Sequence, residues 1–464
     1  MAYVNAVKAV HEIRDPIHVF VKLDAQERAV VDSRFFQRLR HIHQLALTYL
    51  VYPGATHKRF EHSLGVMELA GRVFDVITNP DNVTDEIRKQ LDPLKNASEA
   101  DRSRWRRTLR LAALCHDIGH LPFSHAAEKE LLPEGWDHER LSYEVIMHPD
   151  MQAIWREMSL YPEDIAKLAL GRKKGERLGL EFSPWEEILS EIIVGDAFGV
   201  DRMDYLLRDS HHLGVAYGRF DHYRLIDTLR ILPKREQGSE DRPPVPVLGV
   251  EEGGLQSAEA LLLARYFMYS QVYFHPVRRI YDIHLKDFLT EWLPNGQFPT
   301  DLDKLVTLTD NEVLSGLLAS ARKGCRKGHV HAKRIRERQH FKVLYERNPT
   351  DVERNEDAGA AVYRAAVEKF GAEHVRHDSY RQKGGVFDFP VLRRNGEVVS
   401  ALALSDTLKN LPLVSVDYVF VSRDKYDVAC RWLKREHDRI IEKGVEEEDD
   451  ETATEGGSAD QADR

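Results

Sequence analysis

The chain has 464 residues, 42% of them hydrophobic and 31% charged, with a formal net charge of -10. This length exceeds the usual single-domain range, and the acidic balance argues against a surface that coats nucleic acid without regard to sequence. Three cysteines, Cys115, Cys325 and Cys430, lie too far apart for a CxxC zinc site or a disulfide framework.

No stretch approaches a membrane span and the N-terminus lacks an apolar signal-peptide core. The expectation is a cytoplasmic protein with no membrane contact. In chain order, Val31, Phe35, Leu39 and Ile42 recur at helical spacing and predict one helix through 28–45. Tyr52-Pro53-Gly54 breaks it, and a second helix starts near Lys58 with His62 on the face of Val66, Leu69 and Val73. Taken alone, a histidine on an apolar face reads as a satisfied core residue; a metal centre nearby would change that.

A polar connection over 80–100 leads to a helix from about Arg104 to Gly119, with Pro122 beyond it. That helix runs into Cys115-His116-Asp117-Ile-Gly-His120-Leu-Pro-Phe-Ser-His125, three imidazoles and a carboxylate within ten residues. Both groups cost free energy away from water unless they are paired or bound to metal. Residues 139–148, 162–170 and 185–194 read as further helices. Asp201, Tyr205 and Asp209 then recur every four residues, on one flank of a helix. That flank either faces solvent or, given Leu206, Leu207 and Leu213 beside it, belongs to a helix buried on most sides.

Residues 233–246 form a loop. From 255 to 289 a helical pattern carries Arg265, Tyr269, Tyr273, His275, Arg278 and Arg279, interrupted at Pro276, and reads as the wall of a polar pocket. A domain boundary falls between Pro294 and Asp303. Residues 303–342 are helical and turn basic from Arg322 to Lys342, a solvated face or a contact for an anion or nucleic acid. A helix over 358–370, a hairpin over 387–404 about Asn395-Gly396, a strand over 414–422 and a last helix to about Lys443 follow. The fold class expected is mostly α: an all-helical core over 1–295 and a smaller helical, then α+β, module over 296–445. Residues 446–464 are expected to be a disordered acidic tail.

His62, His116, Asp117 and Asp201 would supply two imidazoles and two carboxylates from three helices and leave coordination positions open. Mixed N/O ligation suits Fe, Mn, Zn, Ni or Co. Together, Arg59-Phe-Glu-His62-Ser-Leu-Gly-Val66, the Cys115–His125 stretch and Val200-Asp201-Arg-Met-Asp204-Tyr205-Leu-Leu-Arg-Asp209-Ser-His-His-Leu-Gly214 resemble a known pattern. It is that of the HD superfamily of metal-dependent phosphohydrolases, in the branch of deoxynucleoside triphosphate (dNTP) triphosphohydrolases that includes the dGTPases and the SAM-and-HD-domain dNTPase. The likeness covers roughly 10–285 and includes no SAM domain.

The resemblance implies metal ligation by His62, His116, Asp117 and Asp201. It implies catalytic roles for His120, His125, Glu128 and His138, with His125, assisted by Glu128, protonating the departing 5′-oxygen. Arg59 would hold phosphate, Gln44 and Asp209 the 3′-hydroxyl, and Tyr205 would stack beside the sugar, with Arg265 and Tyr273 on the later pocket helix. The implied cofactor is a divalent transition metal, with Mg accompanying the nucleotide as an addition to it. The implied partners are a dNTP substrate and further copies of the chain, as a dimer or tetramer. Asp32, Gln37 and Arg40 match positions that bind an activating nucleotide, whereas His11 departs from that pattern. Two other readings stay open: an HD phosphatase or phosphodiesterase acting on another nucleotide, and a nucleic-acid-binding, defence-associated protein contacting phosphate through 322–342.

Overall fold

A computed structural model describes residues 10–96, 98–123, 128–234, 244–322, 324, 326–381 and 387–455, with the backbone alone for 96, 128–129 and 443–455. The fold is mostly α, a helical core followed by a smaller α+β part, with two β-hairpins set against the core. The helices that position the site are α1 (Ala25–Val31), α2 (Arg34–Arg38), α3 (Arg59–Ile77), α4 (Glu99–Cys115), α5 (His138–Ile146), α6 (Pro162–Leu170), α7 (Pro184–Val194) and α8 (Val200–Leu213). They continue with α9 (Leu255–Met268), α10 (Pro276–Trp292), α11 (Asp310–Arg322), α12 (His329–Arg336), α13 (Ala358–Phe370) and α14 (Tyr426–Glu455).

The expected helix over 28–45 is two helices. Asp32 closes α1, and the Ser33 hydroxyl accepts the Phe36 N–H at 3.3 Å, so a side-chain cap restarts the chain as α2. The helix before the His-Asp pair starts earlier than expected because Ser98 and Asp101 form a capping box. It also ends earlier, at Cys115, where the Ala113 carbonyl takes a bond from the His116 ring. Pro276 opens α10 at its first position, a place that needs no N–H, after a π-helical turn at Tyr269–Tyr273. The basic stretch is not one helix: α11 and α12 are separate, and a strand begins at Lys342.

The main core gathers around α3. Its Leu64, Val66, Met67, Leu69, Ala70 and Val73 are buried with Leu111 and Ala112 of α4 and Met203 and Leu206 of α8. Each of these Val, Leu and Met side chains contributes about 1.5–3 kcal/mol on burial. Gly65 lets α8 approach, since a Cβ there would stand 1.9 Å from Asp204 Oδ1. A second core packs Leu47, Leu121 and Phe123 against Tyr281 and Phe288 of α10 and Val313 and Leu317 of α11.

Strands β1 (Val10–Asp15) and β2 (Val19–Asp24) pair antiparallel. Strands β3 (Leu229–Lys234) and β4 (Val245–Glu251) form a second antiparallel pair. In the C-terminal part come β5 (Lys342–Glu346), β6 (Val375–Arg381), β7 (Pro390–Leu392), β8 (Val398–Ser400) and β9 (Ser415–Val421). One sheet has the order β5-β9-β6, with α13 and α14 packed on it. The expected hairpin about Asn395-Gly396 is β7-β8, but it extends the other sheet: Val391 lies parallel to Val250 of β4, and Phe389 and Val391 enter the main core. The backbone of 446–455, expected within the acidic tail, continues α14, and 456–464 lie outside the described residues.

Candidate active site

Three helices converge as their ligand types require. His62 comes from the first turn of α3, His116 and Asp117 from the end of α4, and Asp201 from the first turn of α8. Ligand atoms of His62, His116 and Asp117 all lie within 4.8 Å of one another. Asp201 Oδ1 stands 3.1 Å from His62 Nε2 and 3.5 Å from His116 Nε2. The His116 Nδ1–H donates to the Ala113 carbonyl at 2.7 Å, which leaves a lone pair on Nε2. That Nε2 is buried without a hydrogen-bond partner and faces carboxylate oxygens of Asp117 and Asp201. An orphaned lone pair beside two carboxylates fits a divalent cation.

The support around His62 points the same way. Its Nδ1 donates to Asp204 Oδ2 at 2.8 Å, which turns Nε2 toward the cluster. Asp204 is fully buried and also accepts from His18 Nε2 at 2.6 Å and from Arg208 Nε at 2.8 Å. Arg208 continues to Asp15 at 2.9 Å. Burial opposes charge on His62, yet Asp201 and Asp204 outweigh it and lift the imidazole to about 10. Burial likewise opposes charge on His116, and Asp117 and Asp201 raise it. The cluster therefore attracts positive charge.

The adjoining half of the cleft attracts negative charge. The cleft as a whole has a volume of about 1010 Å³, and Arg59, His120, His138, Arg202, Arg278 and Arg279 supply the basic part of its lining. Arg59 donates to Asp117 Oδ2, and His120 stacks on His138 with centroids 4.0 Å apart. Burial and then Arg59 press the His120 pKa well below its usual value. Toward the far end, Asp209 is held on both oxygens, by His57 Nε2 at 2.7 Å and by the Tyr273 hydroxyl at 2.6 Å. Tyr205 meets Tyr273 edge to face, and Gln44 Oε1 is buried without a partner on the same cleft.

The structure thus brings His62, His116, Asp117, Asp201, Arg59, His120, His138, Gln44, Tyr205, Asp209 and Tyr273 to one cleft. Arg265 instead donates to the Asp196 carbonyl at 3.1 Å and lines a small neighbouring pocket. His125 and the side chain of Glu128 lie outside the described residues. Asp32, Gln37 and Arg40 sit together outside the cleft, with Arg40 Nε donating to Gln37 Oε1 at 2.9 Å and Asp32 accepting from Arg28. Of the basic run, Arg322, Arg326, Lys327, Lys333, Arg336 and Arg338 are exposed, and none lines the cleft.

Sequence reasoning passed over Asp204, His18, His57 and the guanidinium of Arg202, whereas Arg278 and Arg279, expected on the wall of a polar pocket, do line the cleft. Asp204 carried one signal, its place three residues after Asp201 on the same helix. A second group, His284, Asp287 and His331, also brings ligand atoms within 4.8 Å of one another. It is not equivalent: His284 Nε2 accepts the Phe341 N–H, so its Nδ1 carries the ring proton, and Asp287 is paired with Arg376.

Two family models match the chain, the HD domain over residues 59–206 and the HD associated region over 220–415. Among similar proteins, an uncharacterized protein of Methanocaldococcus jannaschii is 36% identical over 308 residues, 66% of this chain and 55% of that one. The deoxynucleoside triphosphate triphosphohydrolase SAMHD1 of Gallus gallus is 30% identical over 371 residues, 73% of this chain and 56% of that one. The matches cover 55% to 58% of the length of three curated relatives and as little as 36% of others. The crystal structure of a hypothetical protein from Aquifex aeolicus superposes with a TM-score of 0.73 at 33% identity, covering 91% of this chain and 100% of that one. With the His-Asp cluster seated where the HD model matches, these likenesses lead to one conclusion: the chain belongs to the HD superfamily, an HD domain followed by its associated region.

Proposed function

We propose that the protein is a metal-dependent dNTP triphosphohydrolase, which converts dNTP and water to deoxynucleoside and triphosphate by attack at the α-phosphate. One observation carries the reading: a cation-attracting cluster and a basic cleft wall meet at Asp117, whose Oδ1 faces both His116 and His120 and whose Oδ2 takes the Arg59 guanidinium. His62, His116, Asp117 and Asp201 would hold a divalent ion, which would supply Lewis acidity and activate water near neutral pH.

The chain's own groups do the rest. Arg59 binds phosphate oxygens and offsets charge as it builds in the transition state. His120 and His138 form a stacked pair on the same wall, and the neutral His120 offers a hydrogen bond without repelling Arg59. His125, five residues beyond His120, is the proton donor to the 5′-oxygen, with Glu128 assisting it. Gln44 and Asp209 receive the 3′-hydroxyl, and Tyr205 packs beside the sugar. The likeness to SAMHD1 proteins, whose name states this activity, supports the choice of substrate. Homo-oligomers and a nucleotide activator at Asp32, Gln37 and Arg40 belong to the same proposal.

The test is to incubate metal-loaded protein with the four dNTPs, singly and mixed, and identify the products. Triphosphate and deoxynucleoside are expected. Pyrophosphate or orthophosphate as the first product would overturn the reading, and turnover only in the mixture would reveal activation by a second nucleotide.

A further inference from the structure

The turn that carries His120 is held from two sides by buried charges that take no part in the cleft. Arg38, at the end of α2, donates from Nη1 to the His120 carbonyl at 2.8 Å. Its Nε is shared between the carbonyls of Leu305 and Leu308, each at 3.1 Å, so one guanidinium ties the turn to the segment just before α11. Asp310, the first residue of α11, is fully buried. Its Oδ1 accepts the Phe123 N–H at 2.8 Å.

Phe123 has a backbone φ of +52°, in the left-handed region that a bulky side chain rarely adopts. Such a conformation persists when its surroundings over-determine it, and here a carboxylate holds the amide while the ring is buried in the second core. The other oxygen of Asp310 accepts from His43 twice, from the backbone N–H at 2.7 Å and from Nδ1 at 2.6 Å. His43 Nε2 then has its lone pair free for Lys58 Nζ at 2.6 Å, and Lys58 caps α3 next to Arg59. A single carboxylate therefore reaches both walls of the cleft.

We infer that Asp310 and Arg38 are positioning residues for the His120–Phe123 turn and the first turn of α3, and that the 302–322 segment is a working part of the catalytic unit. This rests on the reading of His120 and Arg59 as the phosphate-side groups. Neither Asp310 nor Arg38 lines the cleft, so Arg38 acts through the backbone of the turn and Asp310 through the Phe123 amide and the His43–Lys58 contacts. The shared core of α10, α11 and the 121–123 turn supplies the stiffness that makes such positioning effective.

The experiment compares full-length wild type with Asp310→Ala, Asp310→Asn, Arg38→Ala and Arg38→Lys, reading amide hydrogen exchange, bound metal, and kcat and KM with dNTP. The Asp310→Asn variant keeps an oxygen for the Phe123 amide but turns an N–H2 toward His43, so it separates the two contacts and guards against a misfolded Ala variant. In Asp310→Ala, exchange over 118–123 should rise at least about tenfold while α4 amides keep their protection. Metal content should hold, and kcat should fall about a hundredfold with KM little changed, the size expected for a small misplacement. Arg38→Lys should recover part of what Arg38→Ala loses.

Unchanged exchange over 118–123, or a rise spread evenly over α4 and α8, would overturn the inference. If wild type releases no triphosphate from dNTP, the proposed substrate fails, and the exchange and metal measurements still decide the positioning role.

Discussion

His116 and His120 are the same side chain four residues apart, yet their pKa values are displaced in opposite directions. Asp117 and Asp201 flank His116 and raise its pKa, whereas burial and Arg59 hold His120 neutral. The division falls at Asp117, which is shared by the cation-seeking cluster and by Arg59. One short stretch thus holds two differently tuned imidazoles, because basicity follows the burial and charge around each ring rather than the identity of the ring.

Removing a metal-side ligand should break this comparison most completely. His62→Ala or Asp201→Ala is expected to lose bound metal, read by elemental analysis, and with it several kcal/mol of transition-state stabilisation, roughly a thousandfold in rate. Arg59→Ala should strike only the other half: metal stays, while kcat falls about a hundredfold, as for loss of one donor to a developing negative charge. Arg59→Lys should restore part of that, since a point charge replaces a fork. If Arg59→Ala also stripped the metal, the two halves would not be separable.

A smaller effect tests what stands behind the cluster. Asp204→Asn leaves every ligand in place but weakens the grip on His62 Nδ1, so metal affinity by competitive titration should drop about 10- to 100-fold, with turnover at saturating metal less affected.

The smallest effect concerns two histidines that flank the supporting groups. His212 stacks on His57, and His222 lies edge to face with His18. Burial, followed by the neighbouring histidines, pushes both down to about 4. The unfolded imidazole takes its proton near about 6.5, so between that pH and 4 the unfolded state binds more protons and stability falls as pH drops. Thermal midpoints should decline from pH 7 to pH 5, and His212→Gln with His222→Gln should flatten the slope. A slope unchanged in both variants would place the acid sensitivity elsewhere.

Much of this was legible in the residues. Pro162 and the apolar spacing after it marked α6, the spacing within 358–370 marked α13, and Asn395-Gly396 marked the β7-β8 turn. Such signals are local, because caps, turn residues and periodicity act within one or two turns of chain. The same locality explains the errors: the apolar spacing over 28–45 continued past Ser33, but the cap at Ser33 outweighed it.

The sequence alone determined which side chains to expect at the site: His62, His116, Asp117 and Asp201 as a ligand set of two imidazoles and two carboxylates, and, through the family it resembles, Arg59 and His120 beside them. It determined the helices of His62 and Asp201 too, since periodicity is written in the order of residues. Only the tertiary structure decided the partners. Asp204 reads as one more polar residue until α8 packs against Gly65 and turns it onto His62, His18 and Arg208. Asp310 gives no sign that it answers Phe123 and His43, because those contacts close over 187 and 267 residues of chain. The β7-β8 hairpin likewise declares its turn but not that it joins β4. Long-range pairing depends on which buried surfaces and unsatisfied polar groups meet after collapse, and linear spacing carries no record of that meeting.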